Sequence, residues 1–308
     1  MKKLAPALVL LSGCLWGSMG VFVRHLTYAG LSSLDIVGIR AFSTVILMGI
    51  VLLIKNRSLF RVRWKDIWCF VGTGICSILL FNYCYFTAIK ITSLSVAAVL
   101  LYTASVFVML MSYVLFKEKL TGNKILALGM TLLGCVLVTG MVGSDSTNAL
   151  SGYGILMGIG AGFGYALYSI FSRYALERGY SSLQITFYTF VFAAIGIMPM
   201  ASMQGILRYI GSNVENIGFT LIFGAVSTVL PYLAYTAGLN YVENGQASII
   251  ASVEPVVATL FGVVLFREKM SFGNIVGMLL VLGAIVLCNI KMPHKAKGKA
   301  IGVLELEK

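Results

Sequence analysis

The chain has 308 residues, 59% of them hydrophobic and only 11% charged, with a mean hydropathy of +0.94 and a net charge of +12. A soluble domain is about 45–50% apolar and about 25% charged. This composition cannot cover a water-facing surface, which excludes a cytosolic enzyme, a disordered tail and a secreted disulfide scaffold. Apolar runs of about 20 residues recur along the whole chain, each long enough to cross a bilayer as a helix.

In chain order, the first run opens after Met1-Lys2-Lys3 and passes Leu11-Ser12-Gly13-Cys14, a pattern like that of a lipoprotein signal. The run continues through Trp16 and Phe22, and more apolar runs follow, so it reads as a span. The ten spans are expected at about 5–23, 34–54, 67–89, 94–116, 124–141, 152–171, 183–203, 216–238, 244–266 and 272–290. The longest polar gap, 142–151, falls near the middle. The basic residues occupy short gaps between apolar runs and read as topology signals, with no nucleic-acid partner. The six cysteines, Cys14, Cys69, Cys76, Cys84, Cys135 and Cys288, lack metal-ligand spacing and read as small core residues. No metal and no cofactor is expected.

The two halves repeat. Phe116-Lys117-Glu118-Lys119-Leu120 returns as Phe266-Arg267-Glu268-Lys269-Met270, 150 residues on. At the same offset Gly74 meets Gly224, Ser77 meets Ser227 and Tyr85 meets Tyr235. Near the starts of the halves the offset is 149, where Gly13 meets Gly162, Trp16 meets Tyr165 and Arg24 meets Arg173. Five spans per repeat is odd, so the second half enters the membrane from the opposite side. The expected fold is therefore an all-α integral membrane protein with ten transmembrane helices in two inverted five-helix repeats. The repeats cover 1–143 and 150–290, followed by a basic tail at 291–308. With both termini inside, 17 of the 23 Lys/Arg side chains lie on the inner face, five on the outer and Arg40 within a span. That bias predicts a multi-pass plasma-membrane protein with cytoplasmic termini. The sequon Asn56-Arg57-Ser58 then faces the side away from glycosylation.

The ten short spans, the two repeats, the F-K/R-E-K segments and Gly13-Cys14-Leu15-Trp16-Gly17 together resemble the EamA-type branch of the drug/metabolite transporter superfamily over nearly the whole chain. The resemblance implies a secondary transporter of small organic metabolites or drugs, often an exporter, with a central cavity between the halves. The family pattern often places a proline in the fourth span of each repeat. Pro255 fits it, but the first half has Ser105 there, so symmetric helix breaks are not expected from the sequence.

Glu254 is the sharpest candidate. About ten residues into its span, it lies about 15 Å deep. A carboxylate there costs about 2.5–3.5 kcal/mol, so it should face a cavity or a partner. It is a candidate for carrying a coupling proton, for binding a cationic group, or for pairing with an arginine. Arg40 lies about 9 Å below the outer surface and reads as an ion-pair partner of Glu254, as a residue snorkelling outward, or as a clamp for a substrate carboxylate. Trp16 and Tyr165, with Tyr102 and Asn82, sit at mid-depth and could stack or cage a ligand, or simply pack helices. Ser252, with Gln246 and Ser248, puts polar groups on the approach to Glu254. Tyr85 and Tyr235 are expected as interfacial anchors. Gly154, Gly158 and Gly162, like Gly13 and Gly17, form stripes for close helix contact within a monomer or a homodimer. Glu118 and Glu268 are expected to fix hairpins through their Lys/Arg neighbours.

Against an enzyme, the histidines are only His25 and His294, and the aspartates Asp35, Asp66 and Asp145 sit at span ends or in loops. No P-loop is present. The expected partners are thus the lipid bilayer, a small-molecule substrate and a coupling proton. Two substrate readings stand. One is an amino acid or related zwitterion held by Arg40 and Glu254. The other is a quaternary or lipophilic cation held by Glu254 with Trp16, Tyr102 and Tyr165.

Overall fold

The structure, a computed structural model, describes residues 2–139 and 151–290. The basic tail at 291–308 and nearly all of the polar gap at 142–151 lie outside the described residues. The described residues are helical, with no strand among them. Eight helices are long and apolar enough to cross a membrane: Ala5–Tyr28, Ser33–Lys55, Trp64–Ile91, Leu94–Phe116, Gly152–Glu177, Val214–Leu239, Asn244–Phe266 and Phe272–Asn289. The shorter apolar helices Gly122–Val138 and Ser182–Ile197 fall where the fifth and seventh spans are expected, and in chain order they complete ten.

The first and sixth spans run longer than their apolar runs, to Tyr28 and Glu177, and their last turns carry Arg24 to Glu268 of the other half and Arg173 to Asn244 and Val242 at the start of the ninth span. The seventh span stops at Ile197, and a separate amphipathic helix, Met203–Ser212, follows. It buries Ile206 and Tyr209 and exposes Leu207, the pattern of a helix lying along the membrane surface.

Six of the spans pack in two sets of three. The first packs on the eighth and ninth, and the sixth on the third and fourth, as the repeat requires. The second span pairs with the seventh, and the fifth with the tenth. The third and eighth spans each contain a π-helical stretch, Gly72–Leu79 and Ala225–Val229, which overlap at the 150-residue offset. π-turns of this kind are frequent at functional sites.

The fourth and ninth spans are both broken, between Leu101 and Ala104 and between Ala251 and Glu254. This corrects the expectation drawn from the missing first-half proline. In the ninth span Pro255 removes an amide donor. In the fourth, the Thr103 hydroxyl donates to the Leu100 carbonyl at 2.6 Å, and the amides of Thr103 and Ser105 reach back only three residues, to Leu100 and Tyr102. Gly162 of the sixth span seats directly on this break: a Cβ there would stand 3.0 Å from the Leu100 carbonyl oxygen. The glycine stripes thus serve contacts inside the monomer, each fitting one half against the broken helix of the other.

The repeated F-K/R-E-K segments are helix stops. Lys117 and Arg267 take left-handed backbone at φ 55° and 56°, and the amides of Glu118 and Glu268 each return to a carbonyl six residues back, Ser112 and Gly262, at 3.2 Å.

Candidate functional site

Between the halves, open at the end that carries Arg24, Leu94 and Glu268, lies a vestibule of two adjoining hollows. One, of about 380 Å³, is lined by Arg40, Asn82, Tyr85 and Phe86; the other, of about 370 Å³, by Trp16, Tyr102, Glu254 and Pro255. Gly17, Gly20, Tyr85, Leu94, Ala258 and Glu268 line both. Five of the sequence-derived candidates, Trp16, Arg40, Asn82, Tyr102 and Glu254, therefore line one continuous space.

Arg40 is 6% exposed, and its guanidinium donates through Nε to the Thr228 hydroxyl at 3.3 Å, beside Tyr232. Thr228 belongs to the π-helical stretch of the eighth span. Among the described residues no ion pair joins Arg40 to Glu254, which corrects the structural-pair reading. The two opposite charges face the same vestibule from different spans and are not consumed by each other. The Asn82 amide donates to the Ile78 carbonyl at 2.7 Å, which fixes its orientation and leaves its oxygen as an acceptor.

Tyr165 and Ser252 sit beneath the vestibule. Both line a water-sized void of about 20 Å³ together with Tyr102, Ser105, Ser169 and Glu254. Such a void holds about one water molecule, and the Tyr165 hydroxyl stands beside the Glu254 carboxylate. Ser252 donates to the Ser248 carbonyl at 3.0 Å and lies 3.5 Å from the Ser105 hydroxyl, so the two broken helices meet through their serines.

Trp16 and Tyr165 do form an edge-to-face pair, with ring centroids 6.2 Å apart. They belong to a larger cluster. Tyr232 lies 5.2 Å and Tyr235 5.4 Å from Trp16, and Tyr168 4.9 Å from Tyr232. The sequence reading placed Tyr235 and Tyr85 at the membrane faces, and the structure corrects both. Tyr235 is 3% exposed, its hydroxyl 2.7 Å from that of Ser169, and Tyr85 lines the vestibule, stacked on Phe81. Tyr232 was missed, although the repeat pointed to it: it is the counterpart of Asn82. Gln246 turns away from the site and donates to the Asn289 side chain at 3.0 Å.

The end opposite the vestibule is closed. Glu118 accepts from the Asn244 amide at 2.7 Å and the Gly245 amide at 3.2 Å, capping the first turn of the ninth span. Arg173 donates through Nε to the Asn244 side chain at 3.0 Å and through a terminal nitrogen to the Val242 carbonyl at 2.5 Å. Lys124 pairs with Glu243 alongside. At the open end, Arg24 pairs with Glu268 and lies 4.1 Å over the Phe266 ring. Glu118 and Glu268 thus reach across to the other half, rather than holding their own hairpins.

The chain as a whole is similar to known proteins. A protein from Archaeoglobus fulgidus, described as an uncharacterized transporter, is 28% identical over 289 residues, covering 92% of this chain and 96% of its own. The uncharacterized transporter YxxF of Bacillus subtilis strain 168 is 23% identical over 304 residues, 98% of this chain and 94% of its own. A crystal structure at 17% identity superposes with a TM-score of 0.76 over 94% of this chain and 97% of its own, which establishes a shared fold. The model of the EamA-like transporter family matches twice, over residues 3–140 and 152–290. The chain is a multi-pass membrane protein of the EamA-like transporter family.

Proposed function

We propose that the protein is a secondary active transporter that moves an amino acid or related zwitterion across the plasma membrane by alternating access. The observation that carries this reading is the separation of Arg40 and Glu254 within one vestibule. A guanidinium suits a carboxylate through its paired donors, and a buried carboxylate suits an ammonium. A substrate carrying both groups satisfies two charges that the protein leaves apart, in a cavity sized for a small molecule.

The positive-inside bias supports an orientation with both termini in the cytoplasm. The open end, with Arg24 and Glu268, then faces outward, and the closed end, with Glu118 and Arg173, faces the cytoplasm. The conformation is outward-open. The family resemblance favours export, in which the site loads from the cytoplasm in the opposite state and releases in this one. Glu254 is the coupling-proton residue of the proposal, because it adjoins both the vestibule and the hydroxyl-lined void beneath it.

A second reading has one observation in its favour. Trp16, Tyr102 and Glu254 line the same hollow, an arrangement that fits a quaternary ammonium ion. Counterflow in proteoliposomes separates the readings. The zwitterion reading expects exchange of an amino acid that Arg40→Ala abolishes while the protein remains monodisperse. Undiminished exchange in Arg40→Ala, or exchange of quaternary ammonium compounds alone, contradicts it.

A further inference from the structure

We infer that Glu118 and Glu268 are the gating carboxylates of the transport cycle, and that each exchanges its contact with the other half's broken helix for an arginine partner as its end opens. The inference rests on the alternating-access reading and goes beyond it by assigning residues and bonds to the state not seen.

The argument starts from the repeat. Arg24 corresponds to Arg173 at offset 149, and at offset 150 Glu268 corresponds to Glu118, Leu94 and Ser95 to Asn244 and Gly245, and Thr92 to Val242. The two ends of the molecule therefore carry the same set of parts, but those parts are bonded differently. At the closed end, Glu118 and Arg173 form no ion pair with each other. Each instead holds the start of the ninth span, Glu118 through the Asn244 and Gly245 amides and Arg173 through the Val242 carbonyl and Asn244 side chain. At the open end, Arg24 and Glu268 pair with each other, both side chains are nearly half exposed, and Leu94 faces them across the vestibule.

An inverted repeat converts one state into the other by exchanging the conformations of its halves. Applied to these residues, closure of the vestibule breaks the Arg24–Glu268 pair. Glu268 then caps the fourth span at the Leu94 and Ser95 amides, and Arg24 holds the Thr92 carbonyl. At the other end Glu118 and Arg173 leave the ninth span and pair together. A helix start offers unpaired amides and a positive dipole end, so a carboxylate is held there as well as by an arginine. The exchange leaves no charge without a partner in either state, which makes the two states close in energy.

The geometry also supplies a reporter. A Cβ added at Gly245 would stand 3.8 Å from Met109 Cα at the closed end. Their counterparts are Ser95 and Thr259, which here line opposite sides of the open hollow. The test is short-range cross-linking of the Ser95→Cys/Thr259→Cys double variant, with each single variant as control for the native cysteines. It is measured alone and combined with Glu118→Gln or Glu268→Gln. Glu118→Gln weakens the cytoplasmic clasp and is expected to raise the cross-linking rate about tenfold, the loss of one hydrogen bond to a charged group. Glu268→Gln is expected to lower it by a similar factor. If the pair never cross-links in any background, alternating access itself fails. If it cross-links but the two Gln variants move the rate in the same direction, or leave it unchanged, the partner exchange is wrong while alternating access stands. Should Glu118→Gln not yield folded protein, Arg173→Gln releases the same clasp and must raise the rate likewise.

Discussion

Gly17 lies so close to Glu254 that a Cβ on it would stand 2.7 Å from the Glu254 carbonyl oxygen and 2.7 Å from Val257 Cβ. The first span is thereby fitted against the break of the ninth at the residue that carries the buried carboxylate. Real Cβ atoms do not approach a backbone oxygen that closely, so any side chain here displaces Glu254 or parts the helices. Gly17→Ala is expected to reduce transport at least tenfold, with the protein still inserted, whereas Gly129→Ala, which meets nothing within 4 Å and lines neither hollow, is expected to transport normally. Transport rates in proteoliposomes check both.

Glu254 lies beside Tyr165 and on the path between vestibule and void. Glu254→Gln keeps the shape and removes the titrating group. The expected outcome is loss of transport driven by a pH gradient with substrate exchange retained at weaker affinity, because the Gln oxygen still accepts from an ammonium without its charge, measured in the same vesicles with and without the gradient. Gradient-driven transport at the wild-type rate would remove Glu254 from the coupling step.

Arg40 is positioned through Thr228, in the π-helical stretch of the eighth span. Thr228→Val removes the acceptor and leaves the charge. Substrate affinity is expected to weaken severalfold, because the guanidinium loses the bond that orients it, while Arg40→Ala loses binding altogether. Isothermal titration of the purified variants distinguishes a graded from an equal loss.

The fourth span breaks without a proline, at a turn bonded through the Thr103 hydroxyl and seated against Gly162. Ser105 stands at the second position of the segment Ala104–Phe116, a place where proline costs little. Ser105→Pro is expected to fold and insert normally. Proline at Val108, inside the segment, should cost about 3 kcal/mol and lower the yield of folded protein. Size-exclusion profiles in detergent report both.

Much of the fold is legible in the sequence because lipid imposes one rule on every span: about 20 apolar residues, with each backbone group satisfied inside the helix. The repeat is legible because Phe116–Leu120 and Phe266–Met270 build the same left-handed helix stop. What sequence could not supply is which face of a helix turns inward. Tyr235 is only a few residues from its helix end, and counting depth along the axis made it an anchor. The closed end of the molecule covers it and turns its hydroxyl to Ser169. The Arg40–Glu254 pair was a matter of depth alone, and the Thr228 contact arises from a π-turn that no local pattern announces. The roles of Glu118 and Glu268 depend on partners more than 120 residues away in the chain.

The central claim is that Arg40 and Glu254 together receive one zwitterionic molecule. Its most direct test is a thermal-shift panel on the purified protein, setting amino acids against quaternary ammonium compounds, run in parallel on Arg40→Ala. A ligand that binds only the folded state raises apparent stability by mass action. The account predicts that at least one amino acid stabilises the wild-type protein and leaves Arg40→Ala unshifted. Stabilisation by quaternary ammonium compounds alone, or by amino acids equally in both proteins, would contradict it.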